Sequence, residues 1–202
     1  MQLPDFVVPV YHIDTLEHNQ KFCKGGFFPS NEDGEWCGEG MYFWDTFSNA
    51  NKWLITRSNQ SPIKFTMAGA SLKCNKYDVL DLTDVKSSEE LLSVAKMLAT
   101  KYDVDLNLSS IGAVINFVHR TLILQEASRI FSVVKIFGSY PRNRSHGLVA
   151  DIENNMNHSA RAKKPHATER VKVIYAVRKK ELLHDRKIID PQEEAQSYEF
   201  SI

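Results

Sequence analysis

The chain has 202 residues, 43% of them hydrophobic and 25% charged, the profile of one globular domain with a sizeable core. Lysine plus arginine equals aspartate plus glutamate at 25 each, and a net charge of zero excludes a polyanion binder held by overall charge. Three cysteines (Cys23, Cys37, Cys74), odd in number and without a CxxC pair, argue against a disulfide scaffold or a zinc site and fit a reducing compartment.

The N-terminal MQLPDFVVPVYHID lacks a basic region followed by a long apolar run, which predicts no signal peptide. No segment approaches the roughly eighteen apolar residues that a membrane-spanning helix needs. The expectation is a cytoplasmic protein with a single domain over residues 1–202, no metal and no membrane contact.

Residues 6–13 (FVVPVYHI) read as a strand, with Pro9 tolerable at an edge or bulge. Asp14 or Thr15 caps a short helix through Leu16, Asn19 and Phe22 that Gly25-Gly26 closes. A polar, glycine-bearing loop then leads to WCGEGMYFWDTFSNANKW. In that stretch Gly38 and Gly40 precede four large apolar residues suited to a short buried strand. Asp45, Thr46 and Ser48 are candidate caps for the helix that follows, with Ala50, Trp53 and Leu54 at helical spacing. The order glycine, strand, cap, helix leaves Tyr42 where backbone can approach a flat ligand.

Residues 63–72 and 76–84 read as strands, the second half-buried around Val79, Leu80 and Leu82. A helix starts near Ser87 or Ser88 and runs through Leu98, and a second helical run covers 111–131; both are expected to cover a sheet. Residues 133–137 form a short strand. The stretch 138–168 reads as a long basic loop with a strand at 147–152 inside it. Residues 170–177 alternate, with Val171, Val173, Tyr175 and Val177 on one face, and a last strand is expected at 187–189. Strands outnumber helices without repeating strand-helix-strand units, so the fold class is α+β with mainly antiparallel sheet and flanking helices.

A Rossmann reading of Gly38-x-Gly40 fails for want of a third glycine and of an acidic residue closing a βαβ unit. GSYPRNRS lacks the glycine-lysine-serine ending of a phosphate loop. Three groups far apart in sequence sit at expected strand edges: Tyr11-His12, Tyr42 after its glycines, and Glu169 before the 170–177 strand.

In that order they resemble the ADP-ribosyltransferase superfamily, in its His-Tyr-Glu branch that includes the poly(ADP-ribose) polymerases. GEGMYFWDTFSNANKW is similar to that branch's glycine-x-glycine-x-tyrosine-phenylalanine segment, and YHIDTLEHNQKFCKGGFF resembles, more loosely, the start of bacterial DNA-modifying toxins. The resemblance implies a split β-sheet core and NAD as co-substrate, cleaved at the nicotinamide-ribose bond. It implies that His12 bonds the adenosine-side ribose, that the backbone of Ile13 contacts the carboxamide, and that Tyr42 stacks on the nicotinamide with Trp53 covering its other side. Glu169 would then stabilise the ribose cation and polarise the nucleophile, as carboxylates do in glycoside cleavage.

Two positions depart from the family pattern. Ile13 stands where the family usually has glycine, and Ala50 where it often has a carboxamide-binding serine, with Ser48 or Asn49 as substitutes. Asp151 and Glu153 are rivals of Glu169. The basic residues Arg142, Arg144, Arg161, Lys163 and Lys164 precede Glu169 and suit a phosphate-bearing acceptor, DNA or RNA. The expected activity is ADP-ribosyl transfer to a macromolecule, nucleic acid or protein, by a toxin-type enzyme of a toxin–antitoxin or phage-defence system with an antitoxin partner. NAD hydrolysis, and an inactive nucleotide- or partner-binding domain of the same fold, are the alternatives.

Overall fold

Apolar side chains at every second position turn Phe6–Thr15 (β1) into a strand whose even-numbered residues Phe6, Val8 and Val10 enter one core cluster while Tyr11 and Ile13 enter another. Thr15 ends it by accepting the His18 N–H, which opens α1 (Leu16–Cys23). The same device starts three more helices. Thr46 caps α2 (Phe47–Gln60), Asp84 caps α3 (Val85–Tyr102), and Ser110 caps α4 (Ile111–Leu124), each through an N–H three residues on. The remaining strands are β2 (Met41–Trp44), β3 (Phe65–Cys74), β4 (Val79–Asp81), β5 (Val133–Ser139), β6 (Val171–Val177) and β7 (Leu183–Ile189). The computed structural model describes residues 4–31, 36–139 and 171–192.

The strands form one sheet in the order β4-β5-β6-β2-β1-β3-β7. Every pairing is antiparallel except β4 with β5, so the chain is α+β with a mainly antiparallel sheet. The pairing is uneven. β1 keeps register with β3 from Phe6↔Cys74 to Thr15↔Phe65, and β2 with β6 from Met41↔Val177 to Trp44↔Ile174. β1 and β2 share only Tyr11↔Trp44. The sheet is therefore two well-paired halves joined along a short seam. Pro9 lies on the part of β1 that β3 alone pairs, so its missing N–H can face the open side without breaking a ladder bond.

One face carries Val10, Met41, Phe43, Leu72, Val133, Tyr175 and Val177 under Phe22 of α1. On the other face α3 and α4 cover Val134, Ile174 and Ala176, and α2 covers Tyr11 and Met67; Trp44 packs into both of these clusters. β6 is thus buried on both faces in its second half, where alternation alone predicts one buried face. Three other expectations change. The strand expected over 76–84 shrinks to β4, because Asn75 and Asp78 bond reciprocally and wind Lys76–Asp78 into a 3-10 turn. The helical run expected to residue 131 stops at Leu124, where Glu126 takes a left-handed conformation and the Ala127 N–H returns to Leu122 O. β7 is longer than expected, and the strand expected at 147–152 lies outside the described residues. Among the described residues no helix is long and apolar enough to cross a membrane.

Two polar side chains fix α1 against the sheet. The fully buried Asn19 donates from Nδ2 to Asp14 O at 3.3 Å, Thr66 O at 3.0 Å and Thr66 Oγ1 at 3.0 Å. Arg186 of β7 donates to Phe22 O at 3.1 Å and Gly26 O at 2.8 Å, satisfying carbonyls at the C-terminal end of α1, and its guanidinium lies 4.7 Å over the Phe22 ring. Asn19→Ala removes the side-chain donor from the half-buried Asp14 and Thr66 acceptors. The expected loss is about 1–3 kcal/mol of unfolding free energy, measured by urea denaturation.

Candidate functional site

The strongest link between expected site residues crosses the seam. Nδ1 of His12 lies 2.7 Å from the carbonyl oxygen of Tyr42. A carbonyl only accepts, so Nδ1 carries a proton. The imidazole rests against Phe43 and Phe22, with ring centres 5.4 and 6.3 Å away, on the α1 side of the sheet. The Tyr42 ring packs on the opposite, α3–α4 side. His12 and Tyr42 therefore meet as side chain to backbone, and a ligand touching both rings must pass the end of the seam where β1 and β2 part.

Tyr42 is held by the turn that precedes it. Its hydroxyl donates to Gly38 O at 2.7 Å and accepts from Cys37 N–H at 3.0 Å. That turn is tied in its own right to α4 and β6. Asn116 Oδ1 accepts from Glu39 N–H at 2.7 Å and from the Arg178 guanidinium at 3.0 Å, and Arg178 also reaches Cys37 O at 3.3 Å. Gly38 has φ +66 and Gly40 φ +150, and their missing side chains make room for Asn116 and for the backbone of β6 respectively. Both glycines thus serve chain packing behind Tyr42. The expectation that α4 merely covers the sheet misses this role of Asn116; its one sequence signal is an amide among Val114, Ile115 and Val118 on an apolar helix face.

The other expected residues fall as follows. Ile13 is half-buried, joins the cluster of Tyr11, Phe47, Ala50 and Met67, and is registered with Met67. Ala50 is fully buried in that cluster, so the position where the resembling family often has a serine is a packing position in this chain. Ser48 is exposed in the first turn of α2, and the Asn49 amide is engaged by Asp45 at 2.8 Å. Trp53 is half-buried, 5.9 Å from Trp44 between ring centres, with the Arg57 guanidinium 6.0 Å from its ring and 4.7 Å from that of Phe65. Glu169, its rivals Asp151 and Glu153, and the basic group Arg142, Arg144, Arg161, Lys163 and Lys164 lie outside the described residues.

A carboxylate that sequence reading treats only as a helix cap stands beside His12. Asp14 Oδ2 is 3.6 Å from His12 Nε2 and accepts from His18 Nδ1 at 3.0 Å, while Oδ1 accepts the Thr15 N–H at 2.7 Å. Burial works to raise the Asp14 pKa, but the contacts with His12, Thr15 and His18 outweigh it and hold the carboxyl at about 2. Among the described residues no group of three or more His, Cys, Asp or Glu side chains is arranged to hold a metal ion. Behind Tyr42 the charges act the other way. Burial, then the nearby Arg178, lowers His119 from its ordinary 6.5 to about 4, and burial lowers the Arg178 guanidinium.

No family model, no curated protein and no solved structure matches the chain.

Gly38→Ala would set a methyl 2.3 Å from Asn116 Oδ1 and 2.8 Å from Gly112 O, in a left-handed conformation. The expected cost is about 1–3 kcal/mol of stability, seen as a lower urea midpoint at unchanged slope. His119 stays neutral in the fold below the pH at which it charges when unfolded. Its contribution is complete above pH 6.5 and is lost as pH falls towards about 4. Thermal melts from pH 7 to 4 are expected to show this loss, and His119→Gln to flatten that part of the profile.

Proposed function

We propose that the chain is an ADP-ribosyltransferase-like domain that consumes NAD, cleaving its nicotinamide-ribose bond and transferring ADP-ribose to a macromolecular acceptor in the cytoplasm. The observation that carries this reading is the seam. In a mainly antiparallel sheet, the two halves meet at Tyr11↔Trp44, and His12 bonds the Tyr42 carbonyl across that junction. A split sheet with the histidine on one half and the tyrosine on the other is what the resemblance in the sequence calls for.

A dinucleotide laid across the open end of the seam would have its adenosine ribose by His12 and its nicotinamide by Tyr42, with the Ile13 backbone between them. Tyr42 is suited to stacking because its hydroxyl is tied down by the Cys37–Gly38 backbone, which fixes the ring before a ligand arrives. Glu169, in this reading, supplies the negative charge that stabilises the ribose cation as nicotinamide departs. The acceptor class rests on the basic residues between Arg142 and Lys164, which favour DNA or RNA over a protein surface. A toxin paired with a neutralising antitoxin protein is the biological setting that the resemblance favours.

The buried Ala50 favours a second reading. Without a hydroxyl there, the carboxamide of NAD loses one donor or acceptor, and a domain that binds the nucleotide without turnover fits that loss. One assay separates the two. Purified protein is incubated with NAD labelled in its adenylate part, and the protein, DNA, RNA and small-molecule fractions are counted. Transfer to a macromolecule is expected, and Glu169→Gln is expected to lower it by about 10²–10³-fold. Free labelled ADP-ribose with no labelled macromolecule identifies a hydrolase; intact NAD that binds in calorimetry identifies the inactive domain. Intact NAD that does not bind defeats the proposal.

A further inference from the structure

In a chain of zero net charge, the stretch between Asp45 and Asp78 carries the basic residues Lys52, Arg57, Lys64, Lys73 and Lys76 and no acidic one. Lys73 is neutralised by Asp185 at 2.9 Å, and Lys76 stands past the far end of β3 beside Tyr77. The other three belong to α2 and the turn that leads into β3. Among the described residues Lys52, Arg57 and Lys64 form no ion pair, and the Arg57 guanidinium makes no hydrogen bond.

Aromatic rings hold Arg57 instead. Its guanidinium carbon lies 4.7 Å from the ring centre of Phe65 and 6.0 Å from that of Trp53, which precedes it by one helical turn on the same flank of α2. The two rings are half-buried and Arg57 is exposed. Each ring has a lysine next to it in the chain, Lys52 before Trp53 and Lys64 before Phe65. Trp53 in turn meets Trp44, which packs in the same α3–α4 cluster as Tyr42. A planar, cationic surface thus runs from Arg57 towards the Tyr42 side of the seam.

We propose that this flank of α2 binds a single-stranded nucleic acid, with backbone phosphates on Arg57, Lys52 and Lys64 and a base stacked on the exposed guanidinium face. A guanidinium whose N–H groups have no acceptor in the chain suits phosphate oxygens. Its plane, backed by two rings, continues the stack for a base. A duplex keeps its base faces inside, so only a single strand uses both features. An acidic protein segment would supply anions but no row of flat faces. The role of that strand as the acceptor rests on the transferase reading, whereas its binding does not.

The test is fluorescence anisotropy of the full chain with labelled oligonucleotides of mixed sequence: single-stranded DNA, single-stranded RNA and the DNA duplex. Polyglutamate serves as a competitor, and melting curves verify the fold of each variant. A single strand of either sugar is expected to bind about 10-fold more tightly than the duplex. Arg57→Ala should weaken that binding about 10–100-fold, and Arg57→Lys, which keeps the charge but loses the plane, about 5-fold. Replacing Lys52 and Lys64 together by alanine should reduce the steepness of log affinity against log salt by about 1.4, the share of two phosphate contacts.

A single strand that binds no better than duplex, or equally well to Arg57→Ala, overturns the surface. Wild-type affinity in Arg57→Lys overturns the stacked base. Polyglutamate competing as well as unlabelled single strand overturns the nucleic acid and identifies an acidic protein partner. If Arg57-dependent binding is found while NAD is neither bound nor cleaved, the surface stands and the transferase reading falls. If NAD is cleaved while no strand binds through Arg57, the transferase reading stands and the surface is overturned.

Discussion

The hydrogen bond from His12 to the Tyr42 carbonyl is the constraint from which the rest of the site takes its shape. Where β1 and β2 diverge from their one registered pair, β2 loses the neighbour that would have satisfied its backbone. A buried carbonyl without a donor is costly, and the imidazole supplies one from the side chain of the adjacent strand. The bond holds the two halves of the sheet at a set distance and decides the tautomer of His12. It also turns Nε2 towards the Asp14 carboxylate, 3.6 Å away. A structural need, the satisfaction of one carbonyl, thus leaves behind a chemical feature available to a ligand.

The two sides of the seam are braced independently. On the β1 side, Asn19 and Arg186 fasten the two ends of α1, the first to the Asp14 and Thr66 backbone, the second to Phe22 and Gly26. Asp14 and His18 sit at the braced end of that helix. On the β2 side, Asn116 and Arg178 grip the Cys37–Glu39 backbone, which in turn holds the Tyr42 hydroxyl. Neither brace relies on the other, so the gap between His12 and Tyr42 is set by two stiff supports and one cross-link. On the proposed reading, that arrangement suits an extended, two-ended ligand that finds its contacts already in position.

Charge is divided across the same boundary. The β1 side ends in a carboxylate kept ionised by its neighbours, and the β2 side backs onto a half-buried guanidinium beside a histidine that burial keeps neutral. Arg178 carries positive charge close to the Gly38 turn, where the backbone carbonyl of Cys37 and the Asn116 amide oxygen absorb it. In a chain with no net charge, local fields of this kind are what remain to orient a charged ligand.

Local sequence alone determined much of this molecule. Hydroxyl and carboxylate caps before apolar periodicity start its helices, glycine pairs close its turns, and the α+β class follows from strands that outnumber helices. These are short-range effects, in which a side chain competes for backbone groups three or four residues away. The tertiary structure decided what long-range contact alone can decide. β6 is buried on both faces because α3 and α4 happen to cover it, and β4 is short because Asn75 and Asp78 bind each other first. Gly38 reads in sequence as an opening for a ligand, yet Asn116, 78 residues later in the chain, fills the space beside it. Asp14 reads as a helix cap, yet its neighbour across space is the imidazole two residues back, turned towards it because its other nitrogen is spoken for by a carbonyl on a different strand. Burial and hydrogen-bond partnership are properties of what surrounds a residue, and only the folded chain supplies the surroundings.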